Sequence, residues 1–302
     1  MNHESQASIR SVSMNAEMSV DLVVECRSLL GEGVTWDAAT STLLWLDIDG
    51  RLLHRLHSDG RHEEVVLSSP TSVVVPTRTG ELLAVSGLQV GVLNDSGAIE
   101  SVLAKLPADG DGRANDGRCD PQGRLWIGTV DRSGEHRAGV FCVDDSGGVR
   151  RVRSGRALSN GLDWSPDGSK CYHSDSLHRT VDELSLDEFG FPVSERTITT
   201  FDALPDGLSV DAEGGIWVAL WDGGGVVRLN PSGEIDCRID VPGGWITSCA
   251  FGGADLHTLY ITTATVDLDA ARRSTSPAAG SLFACRPGVA GRGYTPFGTT
   301  KQ

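Results

Sequence analysis

Asp120-Pro-Gln-Gly-Arg-Leu-Trp126 reads as a tight turn followed at once by an apolar strand that ends near an aromatic residue. Pro, Gly and Asp set the turn, and Leu-Trp begins a buried strand. The phrase returns throughout the chain. Upstream it appears as Asp37-Ala-Ala-Thr-Ser-Thr-Leu-Leu-Trp45 and Thr77-Arg-Thr-Gly-Glu-Leu-Leu-Ala84. Downstream come Ser165-Pro-Asp-Gly-Ser-Lys-Cys-Tyr172, Asp211-Ala-Glu-Gly-Gly-Ile-Trp217 and Gly252-Gly-Ala-Asp-Leu-His-Thr-Leu-Tyr260. Positions 45, 84, 126, 172, 217 and 260 are equivalent, and the steps between them run from 39 to 46 residues. A period of roughly 40–45 residues suits a four-stranded propeller blade.

Each phrase is followed by a second hairpin signal, such as Gly139-Val-Phe-Cys-Val-Asp-Asp-Ser-Gly147 or Val226-Val-Arg-Leu-Asn-Pro-Ser-Gly233. Alternating apolar residues broken by Asp/Asn/Ser-Gly are strand-turn-strand. The sequence therefore predicts an all-β fold, a six-bladed β-propeller of four-stranded blades. It is closed by the N-terminal strand Ser19–Val24 pairing with Ser281–Cys285, which removes two open sheet edges. Residues 18–302 form this single domain and residues 1–17 a loose tail. A β-sandwich is the competing architecture, but it does not require one phrase six times over.

The 302 residues carry 37 glycines, as a turn-rich β protein needs, and a formal charge of -15, which repels nucleic-acid phosphates and anionic membranes. Seven cysteines, an odd number without a Cys-x-x-Cys, argue against a disulfide framework or a zinc knot. Residues 1–18 have no apolar leader segment, and no 18-residue apolar run occurs. These features predict a cytoplasmic protein without membrane or nucleic-acid partners, a monomer or weak homo-oligomer.

Aligning the repeats on the turn-opening residue places Glu32, Asn115, Asn160 and Asp206 five residues before Asp37, Asp120, Ser165 and Asp211. Equivalent positions in a propeller lie at one height around the axis, so these four oxygen-bearing side chains converge at one mouth of the channel. Two carboxylates and two amides make a hard cation site. Asn-Gly and Asp-Gly are also ordinary turn pairs; Glu32-Gly33 is the pair that reading explains least. Arg113 lies near the same mouth and suits a polar substrate, or is a surface residue of the Gly-rich loop 109–113. That loop has the length of a lid. His173 and Asp175 share one side of a strand, as a buried pair or as outer support to a metal; His54, His57 and His62 fall in an outer hairpin expected to be solvated. No Gly-x-Ser-x-Gly or His-Glu-x-x-His occurs.

Five stretches resemble the regucalcin/gluconolactonase family, the senescence marker proteins and luciferin-regenerating enzymes: Gly31-Glu-Gly-Val-Thr-Trp36, Arg113-Ala-Asn-Asp-Gly-Arg118, Ser159-Asn-Gly-Leu-Asp-Trp-Ser165, Pro205-Asp-Gly-Leu208 and Thr247-Ser-Cys-Ala-Phe-Gly-Gly253. The resemblance runs from about residue 20 to 298. It implies a six-bladed propeller holding one divalent metal (calcium, zinc, manganese or magnesium) on Glu32, Asn160 and Asp206, with Arg113 and Asn115 on the substrate. It implies hydrolysis of a small lactone, most often a sugar lactone, with Asp206 as the proton acceptor. The chain departs from the family pattern at Val34 and at Ser133, where the regucalcin branch has an acidic residue; Asp131 or Arg132 takes over that substrate contact. The rival readings are a non-catalytic calcium-binding propeller and a metal-dependent aryl esterase or phosphotriesterase, which Trp221 and Trp245 keep open.

Overall fold

The computed structural model describes residues 19–107, 112–131, 133 and 135–298; the tail 1–17, most of the Gly-rich loop and Arg132 lie outside them. Six antiparallel four-stranded sheets form the blades. Blade 1 spans residues 31–66, blade 2 71–105, blade 3 112–156, blade 4 159–200 and blade 5 205–240. Blade 6 is built from Trp245–Gly252, Thr258–Ala264, Leu282–Cys285 and, from the other end of the chain, Asp21–Val24. Asp21 lies opposite Ala284 and Leu22 opposite Phe283, which closes the ring as the sequence predicts.

The first strand of every blade is innermost, and these six strands neighbour one another in order, blade 1 touching both blade 2 and blade 6. The repeated phrase has a structural job. In Asp120-Pro-Gln-Gly-Arg-Leu-Trp126, Asp120 Oδ1 accepts the amides of Gln122 and Arg124, and Oδ2 accepts the Trp126 indole N–H at 2.9 Å. Asp211 does the same for Glu213, Gly215 and Trp217. The aspartate thus ties the turn to the strand while the indole fills the space between blades: Trp126 meets Trp164 edge-on at 5.4 Å, and Trp217 meets Phe251 at 6.0 Å.

All six inner strands carry a register shift near their start: Glu32/Thr35, Thr71/Val73, Ala114/Gly117, Ser159/Leu162, Pro205/Leu208 and Ile246/Ser248. The X-Gly pairs are therefore bulges inside strands and not chain reversals. A bulge bends the strand and re-aims its side chain, here toward the axis. The glycines allow neighbouring blades to close on that axis. A Cβ on Gly161 would run into the Leu208 amide of blade 5, and one on Gly207 would lie 2.8 Å from Ser248 Cα of blade 6.

Loops 47–52, 86–89, 175–180, 220–225 and 264–282 lie at the mouth where the inner strands begin. The last carries a short helix, Ala270–Thr275, capped by Asp269. Among the described residues no helix is long and apolar enough to cross a membrane. All seven cysteines are unpaired.

Candidate functional site

The bulges bring the sequence-predicted residues of different blades into contact. Asn115 Nδ2 of blade 3 donates to Asn160 Oδ1 of blade 4 at 2.8 Å and to the Ser159 carbonyl at 3.1 Å. Asn160 Nδ2 donates to Ser176 Oγ at 2.7 Å, and that hydroxyl donates to the Pro205 carbonyl beside Asp206 at 2.6 Å. This chain fixes the Asn160 amide with its oxygen on the side of Asn115. Arg113 Nη1 donates to Asn115 Oδ1 at 3.0 Å and to the Ala114 carbonyl, so its guanidinium lies at the same centre.

Glu32, half-open to the channel but enclosed by protein, accepts the Gly33 amide at 3.1 Å. Its pKa is pushed up to about 8 by loss of water first and by the negative charge of Asp116 second; the Gly33 amide and Arg113 act the other way. Asp206 is buried, and its carboxyl is raised well above the ordinary range by desolvation, then by Glu32 and Asp116. Three carboxylates from blades 1, 3 and 5 therefore repel one another across the axis. Asp206 Oδ1 is buried with no hydrogen-bond partner, and so is Ser72 Oγ of blade 2. Unpaired buried acceptors among like charges are costly unless a cation joins them. Glu32, Asn160 and Asp206 offer an all-oxygen donor set of the kind a hard divalent ion takes.

Asp116 was not singled out from the sequence. Its signal was there: one residue after each donor stands Gly33, Gly161 or Gly207, and blade 3 alone of these four has a carboxylate at that position. Asp116 Oδ1 accepts the Gly117 amide at 2.7 Å, its pKa is raised by burial, and it lines a channel pocket with Arg118, Ser72 and Ser248.

Asp131 sits elsewhere in its network. Oδ1 accepts the Ser133 hydroxyl at 2.6 Å and the Ser133 amide, and Oδ2 accepts the Arg137 amide. Its own loop covers it while little else crowds it, and the Ser133 hydroxyl, ahead of the two amides, holds its pKa at about 2. Both oxygens are engaged in bracing the mouth loop.

His173 and Asp175 are both buried but take separate partners. Arg153 Nη1 lies 2.5 Å from His173 Nδ1, and Ser159 Oγ 2.6 Å from Nε2. Arginine only donates, so Nδ1 accepts and Nε2–H donates to Ser159. His173 is thus no base toward Ser159, and burial, aided by Arg153 and Arg156, holds its pKa well below normal. The pair anchors the strand that carries Asn160. At the rim, Trp221 and Trp245 stack at 5.4 Å, with the Arg272 guanidinium 4.0 Å over Trp245.

Residues 30–265 match the SMP-30/Gluconolactonase/LRE-like region. A pentonolactonase of Haloferax volcanii is 37% identical, covering 91% of this chain and 97% of its own. A 6-deoxy-6-sulfogluconolactonase of Pseudomonas putida is 34% identical over 89% of this chain and 95% of its own. The crystal structure of a calcium-binding protein, regucalcin, from Agrobacterium tumefaciens superposes with a TM-score of 0.87 at 30% identity, covering 94% of this chain and 98% of that one. On the blade count, the channel carboxylates and these likenesses together, the chain belongs to the SMP-30/gluconolactonase/LRE-like family.

Proposed function

We propose that this protein is a divalent-metal-dependent hydrolase that opens a small lactone, with a sugar (aldono) lactone as its substrate class. The observation that carries the reading is the buried, unpartnered Asp206 Oδ1 in the field of Glu32 and Asp116, with Asn160 tied through Ser176 to the Pro205 carbonyl beside it. The lactonase names of the relatives support the reaction class. Glu32, Asn160 and Asp206 would hold the metal; calcium, zinc, manganese and magnesium all accept such donors. When bound, the ion supplies Lewis-acid polarisation of the lactone carbonyl.

The chain's own groups do the rest. Asp206 takes a proton from the attacking water on its carboxylate. A cation lowers the basicity of such a carboxylate, and the negative charges of Glu32 and Asp116 oppose that loss. Asn115 holds the Asn160 oxygen and the Arg113 guanidinium in register, and Arg113 orients the polar groups of the substrate. Asp131 acts through its loop, setting Ser133 at the mouth. The cytoplasm, with its reduced thiols, suits seven unpaired cysteines.

The test is hydrolysis of a panel of aldonolactones by metal-stripped protein re-supplied with one ion at a time. Turnover that requires metal, and that Asp206→Ala abolishes, supports the reading. Tight metal binding with no turnover on lactones, aromatic esters or phosphotriesters sinks it in favour of a binding propeller. Turnover confined to aromatic esters would give the Trp221–Trp245 stack the leading role.

A further inference from the structure

We propose that the outer hairpin of blade 1 is a second metal site, in which His54, His62 and Glu64 bind a transition metal such as zinc or copper. It stands apart from the channel and does not rest on the lactonase reading.

The site follows from strand pairing. Leu52–His57 and His62–Val66 are the two outer strands of the blade, with His54 directly opposite Glu64. His62 precedes Glu64 by two residues, so all three side chains share one face of the sheet. On that face Trp45, opposite His54 on the next strand, forms a floor. The His54 and His62 rings lie nearly parallel to its indole, at 4.7 and 5.3 Å. His57 and Glu63 pair on the other face and take no part.

His54 Nδ1 lies 3.1 Å from His62 Nε2 and 3.5 Å from Glu64 Oε1, and the three ligand atoms fall within 4.8 Å of one another. A tetrahedron built on zinc–nitrogen bonds of about 2.0–2.1 Å has edges of about 3.3 Å. Without a metal the two imidazoles share a hydrogen bond along their line of centres. The two nitrogens now face each other, so binding requires the half-buried His62 ring to swing off that line until its lone pair meets that of His54 at the ion. His54 is fully buried and held by Trp45, so one ligand is fixed before binding. Two imidazoles and one carboxylate favour zinc, copper or nickel over calcium or magnesium. Glu64 is exposed, which leaves the remaining position to water or to a ligand from solution. Of all described residues these alone form a His/Cys/Asp/Glu group with metal-ligand spacing. The channel set is distinct in chemistry, being all oxygen.

That difference supplies the readout. Copper(II) is added to the tag-free, metal-stripped full chain and followed by electron paramagnetic resonance, which resolves splitting from bound imidazole nitrogen. In a His3→Ala background, which removes the amino-terminal copper motif Met1-Asn2-His3, one equivalent giving a two-nitrogen pattern is expected. His62→Ala should remove it and weaken binding by about 10-fold or more, since even an outer partner of a ligand is worth 10–100-fold; His57→Ala should leave it intact. Glu64→Gln, on an exposed side chain that does not threaten folding, should weaken binding while keeping both nitrogens. The proposal is overturned if the folded His3→Ala protein shows no nitrogen splitting, or if the pattern survives His62→Ala unchanged.

Discussion

Replacing Glu32 by Gln should stabilise the metal-free protein while removing its response to metal. Glu32 moves from an ordinary 4.5 in the unfolded chain to about 8 in the fold, through desolvation and then Asp116. Because the folded value is the higher one, the folded state binds the extra proton, and stability falls as pH rises from about 4.5 to about 8. At pH 7 the deficit approaches about 3 kcal/mol at about 1.4 kcal/mol per pKa unit. Water in the channel and the shared charge of Asp206 reduce this to about 2 kcal/mol. At about 2.1 cal/mol/K of unfolding entropy per residue, the 302-residue chain shifts by about 3 °C. Wild type and Glu32→Gln would be melted in chelator from pH 5 to 8.5. The variant should melt about 3 °C higher at pH 7 and above, and the two should converge toward pH 5. Calcium or zinc at 100 times its Kd should then raise wild type by about 2.7 kcal/mol, or about 4 °C, and the variant by far less. A variant that melts at or below wild type in chelator at pH 8, or a gap that does not shrink on acidification, would refute the argument that the channel carboxylates are held in mutual repulsion.

Asp116→Asn removes one of the charges that keep Asp206 basic; kcat for lactone opening should fall about 10-fold, and the acid limb of the pH–rate profile should move to lower pH. Ser176→Ala frees the Asn160 amide from its anchor and leaves the Pro205 carbonyl without that donor; calorimetry should show metal affinity down about 10-fold, and the melting temperature should fall by about 2–5 °C. Gly207→Ala pushes a methyl group against the Ser248 backbone; thermal unfolding should report a loss of about 1–3 kcal/mol. Asp211→Ala leaves the Trp217 indole and the buried side of Arg228 without their acceptor, which should cost about 3 kcal/mol by the same measurement.

The blade architecture was legible because its signal is local and repeated. Asp120 and Asp211 each speak to a tryptophan six residues on, so the Asp-x-x-Gly-x-x-Trp phrase carries turn, strand and core contact within one window. The height of the donors followed from the same period, since a residue at a fixed offset in each repeat must lie on one ring. What the ring does to individual side chains was hidden. The bulges that aim Asn160 and Asp206 look like turn pairs in the sequence, and only pairing on both sides shows that the strand continues through them. His54, expected to be solvated, is buried because Trp45 of the adjacent strand covers it. Asp131 was expected on the substrate; what the sequence did not show is that its oxygens also accept from residues two and six positions further along its own loop. The sequence by itself determined six blades, their closure and the oxygen chemistry at one mouth of the channel. Tertiary structure decided which carboxylates feel one another, because Glu32, Asp116 and Asp206 belong to three blades and share a low-dielectric axis only once the ring has closed.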